Sequence, residues 1–495
     1  MSSRISECAF ILSTVILYII FAAPLVGLPL KGLAIVAFGA PYLFGAFGLA
    51  LDLSELILAA IFPVRSYPTA ASIDLNRTRV AVLSLCRDDV DKEALRQLQC
   101  FHGADVFILD DSEGTRARNL VDASGFKVVR RASHEGYKAG NLNHWLRLYG
   151  EKYCYSLVLD SDSIMTNDAL LQLVAYAEHP ANSDVGIIQA SIVPRAGNHF
   201  QTRIGDFAWV RRAVLIRVHA WIGWALSQGH NSLHRIAALR EIGGFDTCAS
   251  CEDTLTSLRM RNFGWRTIIV GTVTFDAEPR NVFAHRRRSV RWARQTLDAI
   301  LARHGGSDPR LSLLLARHLY SYLLAALWPF MLIPFLLISI RTEQRCCVAG
   351  WSAGPSWLAV ASISPFLGLL TLLSLRIFFW WRIKRTLKGF FASSALSGAA
   401  AVFSSADVFL GLISSLLIRQ TQFVPTGIVR KDRLGMVSLW NAMKLSTLAR
   451  VIALSCYLLA GRRELPLMTI IVLPFIVAPT LILWWYHRDQ GNVLP

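Results

Sequence analysis

The chain is 495 residues long, 53% hydrophobic and only 17% charged, with a mean hydropathy of +0.41 and a formal net charge of +17. An ordinary globular protein carries about a quarter charged residues, so this composition excludes a soluble multidomain, a disordered or a fibrous protein. Nine cysteines without framework spacing exclude a disulfide scaffold. What remains is an integral membrane protein whose positive charge faces the cytoplasm. Residues 8–30 form an uncharged run, too long for a signal-peptide core. Residues 32–51 form a second, ended by Asp52, and no stretch between Val64 and Arg317 could cross a bilayer. Residues 319–340, 357–375 and 465–486 are again long enough for a ~30 Å hydrocarbon core. Residues 443–460 are a weaker span because they carry Lys444 and Arg450. Arg450 would face protein or a water-filled path, or else snorkel to the interface.

Residues 389–418 are ambiguous, being apolar but interrupted by Asp407. Arg382, Lys384, Arg385 and Lys388 precede them, and Arg419, Arg430, Lys431 and Arg433 follow. Basic residues on both sides place both ends in the cytoplasm, which favours an interfacial helix or re-entrant hairpin over a full span. The resulting layout is two helices in 1–63, a cytoplasmic domain over 64–316, and a C-terminal membrane region over 317–495. That region holds about four spans besides the 389–418 segment, and both termini fall in the cytoplasm.

From residue 78 the pattern changes to short β-rich runs between helical stretches. Residues 78–85 (TRVAVLSL) read as a buried strand, followed by a helix over 89–102; 105–109 (DVFIL) and 127–130 (KVVR) read as strands. A helix over 141–149 leads into another buried strand, 155–159 (YSLVL). Strands without alternation, separated by helices, imply an α/β domain with a parallel sheet covered on both faces. Ligands bind such sheets beyond the carboxyl ends of the strands.

Acidic residues stand at those ends. The second strand runs into Asp110-Asp111-Ser112, and the strand over 155–159 into Asp160-Ser161-Asp162-Ser163. Carboxylates at i and i+2 beyond a strand suit a hard divalent cation held jointly by protein and phosphate; the alternative is an Asx-rich turn capping the next helix. Gln228-Gly229-His230-Asn231-Ser232 comes next, ahead of a helix bearing Arg235. Cys251-Glu252-Asp253 opens a helix over 254–262, where the carboxylates could serve only as a dipole-stabilised cap. Finally, residues 286–294 (RRRSVRWAR) gather guanidinium groups beside an indole, a pattern shared by phosphate grips and by basic patches on anionic membranes.

In order, these elements resemble the membrane-embedded processive branch of glycosyltransferase family 2. The resemblance rests on Asp110-Asp111, Lys138-Ala139-Gly140-Asn141, Asp160-Ser161-Asp162, Gly229-His230-Asn231, Glu252-Asp253 and Arg288-x-x-Arg291-Trp292, and covers about residues 78–297. It implies a nucleotide-sugar-binding, GT-A-type (Rossmann-like) cytoplasmic domain inserted between helical transmembrane segments. By the same resemblance Asp110 and Asp111 contact the nucleoside, and Lys138, Asn141, Asp160 and Asn231 line the substrate site. Asp160 and Asp162 hold Mg²⁺ or Mn²⁺, and Arg288 and Arg291 grip phosphate. Asp253, next to Glu252, is the catalytic base, and Trp292 is the platform for the acceptor sugar. Arg288 stands where the family's Q-x-x-R-W has Gln.

The 155–163 stretch, the Gly186-Ile187-Ile188-Gln189 run and the Gly-His-Asn triplet are similar to the branch that makes osmoregulated periplasmic β-glucans in Gram-negative bacteria. That implies UDP-glucose as donor, a growing β-1,2-glucan as acceptor, a multi-pass inner-membrane enzyme and, as a partner, a periplasmic protein that modifies the glucan. The other readings are a cellulose-, mannan- or chitin-type synthase, or a non-catalytic scaffold. Gln422-Phe423-Val424-Pro425-Thr426 resembles the gating loop of cellulose synthases, within residues 419–433, or is a plain loop. Cys248 and Cys251 have C-x-x-C spacing without a second ligand pair, so no zinc site is expected. Nothing in the pattern calls for nucleic acid, and no ATP-binding loop is present.

Overall fold

The structure is a computed structural model and describes residues 3–27, 39–75, 77–247, 251–301, 313–324, 356–417 and 481–483. The expected spans over 443–460 and 465–486 (apart from 481–483), the gating-like loop, Arg450 and Cys248 lie outside the described residues. So does most of the expected span over 319–340.

Two apolar helices open the chain, α1 (Ser3–Ala22) and α2 (Ala40–Ile61). The helix α2 does not stop at Asp52 as the hydropathy suggested. It carries Asp52 and Glu55 in its interior, where Arg317 and Arg376 pair with them. Two long helices follow the central domain, Ser356–Lys384, with Pro365 inside, and Phe390–Leu417. The latter is one continuous helix, which removes the re-entrant hairpin. By length and composition, residues 4–25, α2 and Phe390–Leu417 could each cross a membrane.

The central domain is the expected α/β unit. It comprises β1 (Val80–Cys86), α3 (Lys92–Gln97), β2 (Asp105–Asp110), α4 (Thr115–Asp122), β3 (Lys127–Val129), α5 (Tyr137–Tyr149) and β4 (Tyr155–Leu159). Then come α6 (Asn167–Glu178), β5 (Val185–Pro194), α7 (His199–Ile222), β6 (Ser232–Arg235), α8 (Ile236–Glu241), α9 (Glu252–Asn262), β7 (Arg266–Asp276) and α10 (Val282–Leu301). The strands form one sheet in the order β3-β2-β1-β4-β6-β5-β7.

Pairing is parallel except at β6, which runs antiparallel to both β4 and β5, so the sheet is mixed rather than wholly parallel. Arg235, expected on a helix, ends β6. Strands β1 and β4 are buried along their whole length, the physical reason their sequences lack alternation. Leu157, Leu170 and Leu173 pack on one face of the sheet, and Leu83, Leu142 and Trp145 on the other.

Caps place the loops at the carboxyl edge. Asp91 accepts two amides at the start of α3, Thr166 caps α6, and Asn198 with Gln201 forms a reciprocal capping box on α7. The helix α7 then carries the domain onto the apolar helices. Its Val210, Val214 and Val218 pack in one cluster with Phe10, Leu56, Phe379 and Trp380.

Candidate active site

The site lies at the carboxyl edge of β1, β2 and β4, closed from the other side by the 227–231 loop, α9 and α10. Asp110 ends β2 with its side chain fully covered. Its carboxylate accepts from the Ser112 amide (2.9 Å) and from Arg130 Nε (2.7 Å), and these donors hold its pKa below the usual range despite burial. Asp111 takes Arg131 in a two-pronged pair, Nε at 2.9 Å and Nη2 at 2.6 Å. Both acidic residues expected at the nucleoside therefore hold Arg130 and Arg131 here. Opposite them Asp88, at φ 62°, accepts the amides of Glu113 (3.1 Å) and Gly114 (2.7 Å), fastening the β1 loop to the β2 loop.

Lys138, in the first turn of α5, is the central tie. Its Nζ donates to Asp160 Oδ1 (2.5 Å) and to the carbonyl of Gly229 (2.8 Å), joining three sequence motifs. Burial would discharge it, but Asp160, Glu252 and Asp253 outweigh that and raise its pKa. Gly140 fits because a Cβ there would lie 2.0 Å from the Glu135 carbonyl, which explains the small residue in this turn. Asn141 is buried one residue later, with its Oδ1 unpartnered.

The 227–231 loop is organised by Gln189 of β5. Its Oε1 accepts the Gln228 amide (2.8 Å), and its Nε2 donates to the carbonyls of His230 (2.9 Å) and Asn231 (3.2 Å). Asn231 adopts a left-handed conformation (φ 52°) and donates to Thr274 Oγ1 at 3.0 Å. Its Oδ1, like that of Asn141, is buried without a partner among the described residues. Gly229, at φ 85°, brings the loop so close to α9 that a Cβ would meet Asp253 Oδ2 at 3.0 Å.

Asp253 and Glu252 sit in the first turn of α9, where the helix dipole favours negative charge. Asp253 Oδ1 accepts the Thr254 amide at 2.7 Å. Burial raises the pKa of both carboxyls, and the neighbouring Asp253 charge adds to the shift of Glu252, which reaches about 7. Two adjacent carboxyl groups with raised pKa values suit proton transfer.

Beyond β4, Asp160 is kept ionised by Lys138 and His230 in spite of burial. Asp162 behaves oppositely. Burial and the carboxylates of Asp276 and Asp160 push its pKa well up. His230 links the groups, with Nε2 2.9 Å from Asp276 Oδ2 and Nδ1 3.7 Å from Asp160 Oδ2.

The donor chemistry fits a hard divalent cation: two adjacent carboxylates repel each other, and Asp276 Oδ1 is buried without a partner among the described residues. Among the described residues no three ligating side chains converge on one point. The protein would supply part of the coordination and a bound diphosphate the rest. Asp276 was not anticipated from sequence, although Asp276-Ala277-Glu278 at the end of β7 carries the same signature of acidic residues closing a strand.

Glu278 explains the departure at Arg288. On α10, Arg288 Nη2 pairs with the buried Glu278 Oε2 at 2.5 Å while its guanidinium lies 4.8 Å from the Trp292 ring. Arg291, one turn on, lies in the field of Asp160, Glu252 and Asp253, and burial beside Arg288 depresses its pKa. Trp292 is 39% exposed, a large aromatic face left open. The structure thus brings Lys138, Asp160, Asp162, Asn231, Glu252, Asp253, Arg288, Arg291 and Trp292 to one site. Asp110 and Asp111 flank it in ion pairs of their own.

Residues 156–383 match the model of the family described as "Glycosyl transferase family group 2". Glucans biosynthesis glucosyltransferase H of Rhodopseudomonas palustris is 29% identical over 278 residues, covering 48% of this chain and 36% of its own length. The protein of the same name from Pseudomonas entomophila is 25% identical over 409 residues, 73% of this chain and 46% of its own. The chain thus spans less than half the length of these curated relatives. Among solved structures, a mannosyltransferase from Pyrobaculum calidifontis, in complex with GDP-Man and Mn²⁺, matches at a TM-score of 0.48 and 17% identity, covering 81% of this chain and 100% of that one.

Proposed function

We infer, from the premise that this chain carries a glycosyltransferase domain of family group 2, that the protein is an inverting glucosyltransferase. It moves glucose from UDP-glucose to a growing β-glucan at the inner membrane and passes the product across. The names of the relatives support glucose and glucan, the apolar helices around the domain support a membrane setting, and the basic residues Arg382, Lys384, Arg385 and Lys388 support the cytoplasmic side for the domain. A periplasmic protein that modifies the glucan is the partner this setting calls for.

The observation that carries the chemistry is the approach of Asp253 to Gly229, where an added Cβ would meet its Oδ2 at 3.0 Å, next to the Lys138–Asp160–His230 cluster. Asp253 takes the proton from the acceptor hydroxyl as that oxygen forms a bond to the anomeric carbon. The bond from that carbon to the diphosphate oxygen breaks, and its electron pair leaves with UDP. Attack from the opposite face inverts the centre, so an α-linked donor gives a β-linked product. Burial keeps Asp253 basic enough to accept the proton, and Glu252 beside it holds a second ionisation near neutrality.

Arg288, fixed by Glu278, and Arg291 suit the phosphate oxygens. Trp292 offers its open face to the acceptor sugar. Asp162 and Asp276, with Asp160 beside them, would hold Mg²⁺ or Mn²⁺, which supplies charge neutralisation for the departing diphosphate. Asp110, Asp111, Asn141 and Asn231 complete the donor side, the first two after exchanging Arg130 and Arg131 for ligand.

The test is release of UDP from UDP-glucose by the purified protein with a divalent cation, with linkage analysis of the product. Asp253→Asn is expected to bind donor like the wild type and lose ~10²–10⁴ in turnover. Undiminished UDP release by this variant removes Asp253 as the base. No UDP release by the wild type leaves the domain a scaffold.

A further inference from the structure

A second polar centre lies where the domain meets the apolar helices. Glu55 is held by Arg317 through two contacts, Nε at 2.8 Å and Nη2 at 2.7 Å. Asp52 accepts from Arg376 at 2.9 Å and lies 3.4 Å from Arg317. Two carboxylates are thus balanced by two guanidinium groups. These residues, Arg317 excepted, line a half-open cavity.

A third guanidinium, Arg211 of α7, lines the same cavity, and among the described residues it makes no hydrogen bond or ion pair. Counting Arg317 behind the wall, the cluster holds three guanidinium groups against two carboxylates, one positive charge in excess. A second donor is also unused. Trp380 is 1% exposed, lines the cavity, and its Nε1 has no partner among the described residues. A buried donor without an acceptor is destabilising, and an incoming oxygen would satisfy it. The other walls are apolar, among them Val214, Leu215 and Phe379.

An excess guanidinium, an orphan indole N–H and an apolar wall call for an amphiphile with an anionic oxygen headgroup. We propose that this cavity binds the phosphate headgroup of an acidic phospholipid, its acyl chain lying along the apolar wall. The setting agrees: α2, which contributes Asp52 and Glu55, is long and apolar enough to cross a bilayer. Anionic leaflets attract basic groups placed at their surface. None of the lining residues belongs to the transferase site.

The test uses the full chain in nanodiscs of equal parts phosphatidylglycerol and phosphatidylcholine, with retained lipid read by native mass spectrometry after transfer to detergent. The wild type is expected to retain phosphatidylglycerol over phosphatidylcholine by about tenfold, equivalent to ~1.4 kcal/mol. Arg211→Ala is expected to abolish the preference. Leu215→Trp, which fills the apolar part and leaves the ion pairs intact, is expected to lower retention of both lipids. Equal retention of the two lipids by the wild type overturns the proposal and needs no variant. An undiminished preference in Arg211→Ala does so as well. Inorganic phosphate provides the remaining arm. If it raises the melting temperature as much as phosphatidylglycerol does, in wild type and Leu215→Trp alike, the site takes soluble phosphate and the lipid assignment fails.

Discussion

Glu252 and Asp253 place two carboxyl groups side by side in one helix turn, and the cost of that arrangement can be measured. Burial, with the Asp253 charge added, moves the Glu252 carboxyl from an ordinary value near 4.5 to about 7, against the opposing pull of Lys138. At about 1.4 kcal/mol per pH unit, ionising Glu252 costs the folded protein on the order of 3 kcal/mol more than the unfolded chain. A raised folded pKa favours the protonated form. The stabilising contribution is therefore fully present below about pH 4.5 and is lost as pH rises through about 7. Glu252→Gln imitates the protonated acid at every pH. It is expected to change thermal stability little near pH 5 and to raise the melting temperature by roughly 6–12 °C near pH 8, for a domain of this size. The assay is thermal unfolding of purified protein in detergent at the two pH values, with kcat/KM against pH alongside, where the ionisation near 7 should vanish in the variant. Identical melting temperatures near pH 8, or a larger gain near pH 5 than near pH 8, would refute the assignment of that ionisation to Glu252.

Two further outcomes follow from the site. Glu278→Gln leaves Arg288 buried without its carboxylate, a loss of about 3–5 kcal/mol for a broken buried pair. Unfolding should register it, and the KM for donor should rise because Arg288 is no longer held over Trp292; an unchanged KM would detach Glu278 from the site. Gly229→Ala forces a side chain into a left-handed conformation at ~1–2 kcal/mol and drives a methyl onto Asp253. Turnover should fall about tenfold or more with the product linkage unchanged, and turnover equal to wild type would mean that the loop is free to move away.

The parts of the site read from sequence are those in which chemistry follows directly on a fully buried strand. β4 is five buried residues, all but Ser156 apolar, followed by a polar break, so Asp160 and Asp162 stand out without any knowledge of the fold. The four-residue β6 has no such local signal. Its conformation is set by pairing with β4 and β5, strands distant in sequence, and Arg235 consequently looked helical. β7 was missed for a related reason: its last residues alternate between buried and exposed, and it pairs only with β5 at the sheet's edge. With β7 went Asp276 and Glu278, whose roles depend on the approach of His230 and Arg288. The end of α2 was misplaced at Asp52 because hydropathy counts that carboxylate as a stop. Arg317 and Arg376, 265 and 324 residues away in sequence, offset it.

The helix Phe390–Leu417 decides how the membrane reaches the catalytic centre. It packs along α10, with Gly411 admitting Val290, Ser415 accepting from Arg294 (3.2 Å) and Asp407 pairing with Arg286 (3.4 Å). α10 carries Arg286, Arg287, Arg288, Arg291 and Arg294, and each would cost about 2.5–3.5 kcal/mol at a bilayer centre. A helix bound along that surface cannot stand upright in the hydrocarbon core without drawing those charges in. Its outward residues are nevertheless large and apolar, with Phe391 at 70% and Leu416 at 59% exposure. A basic partner on one face and bare apolar side chains on the other are the properties of a helix lying in the plane of the interface. Single cysteines at Phe391 and Leu416, in a cysteine-free background, should then both react with an impermeant maleimide from the side that holds the catalytic domain. Labelling from opposite sides would make the helix a span, and the contact with α10 would then have to be broken in the membrane.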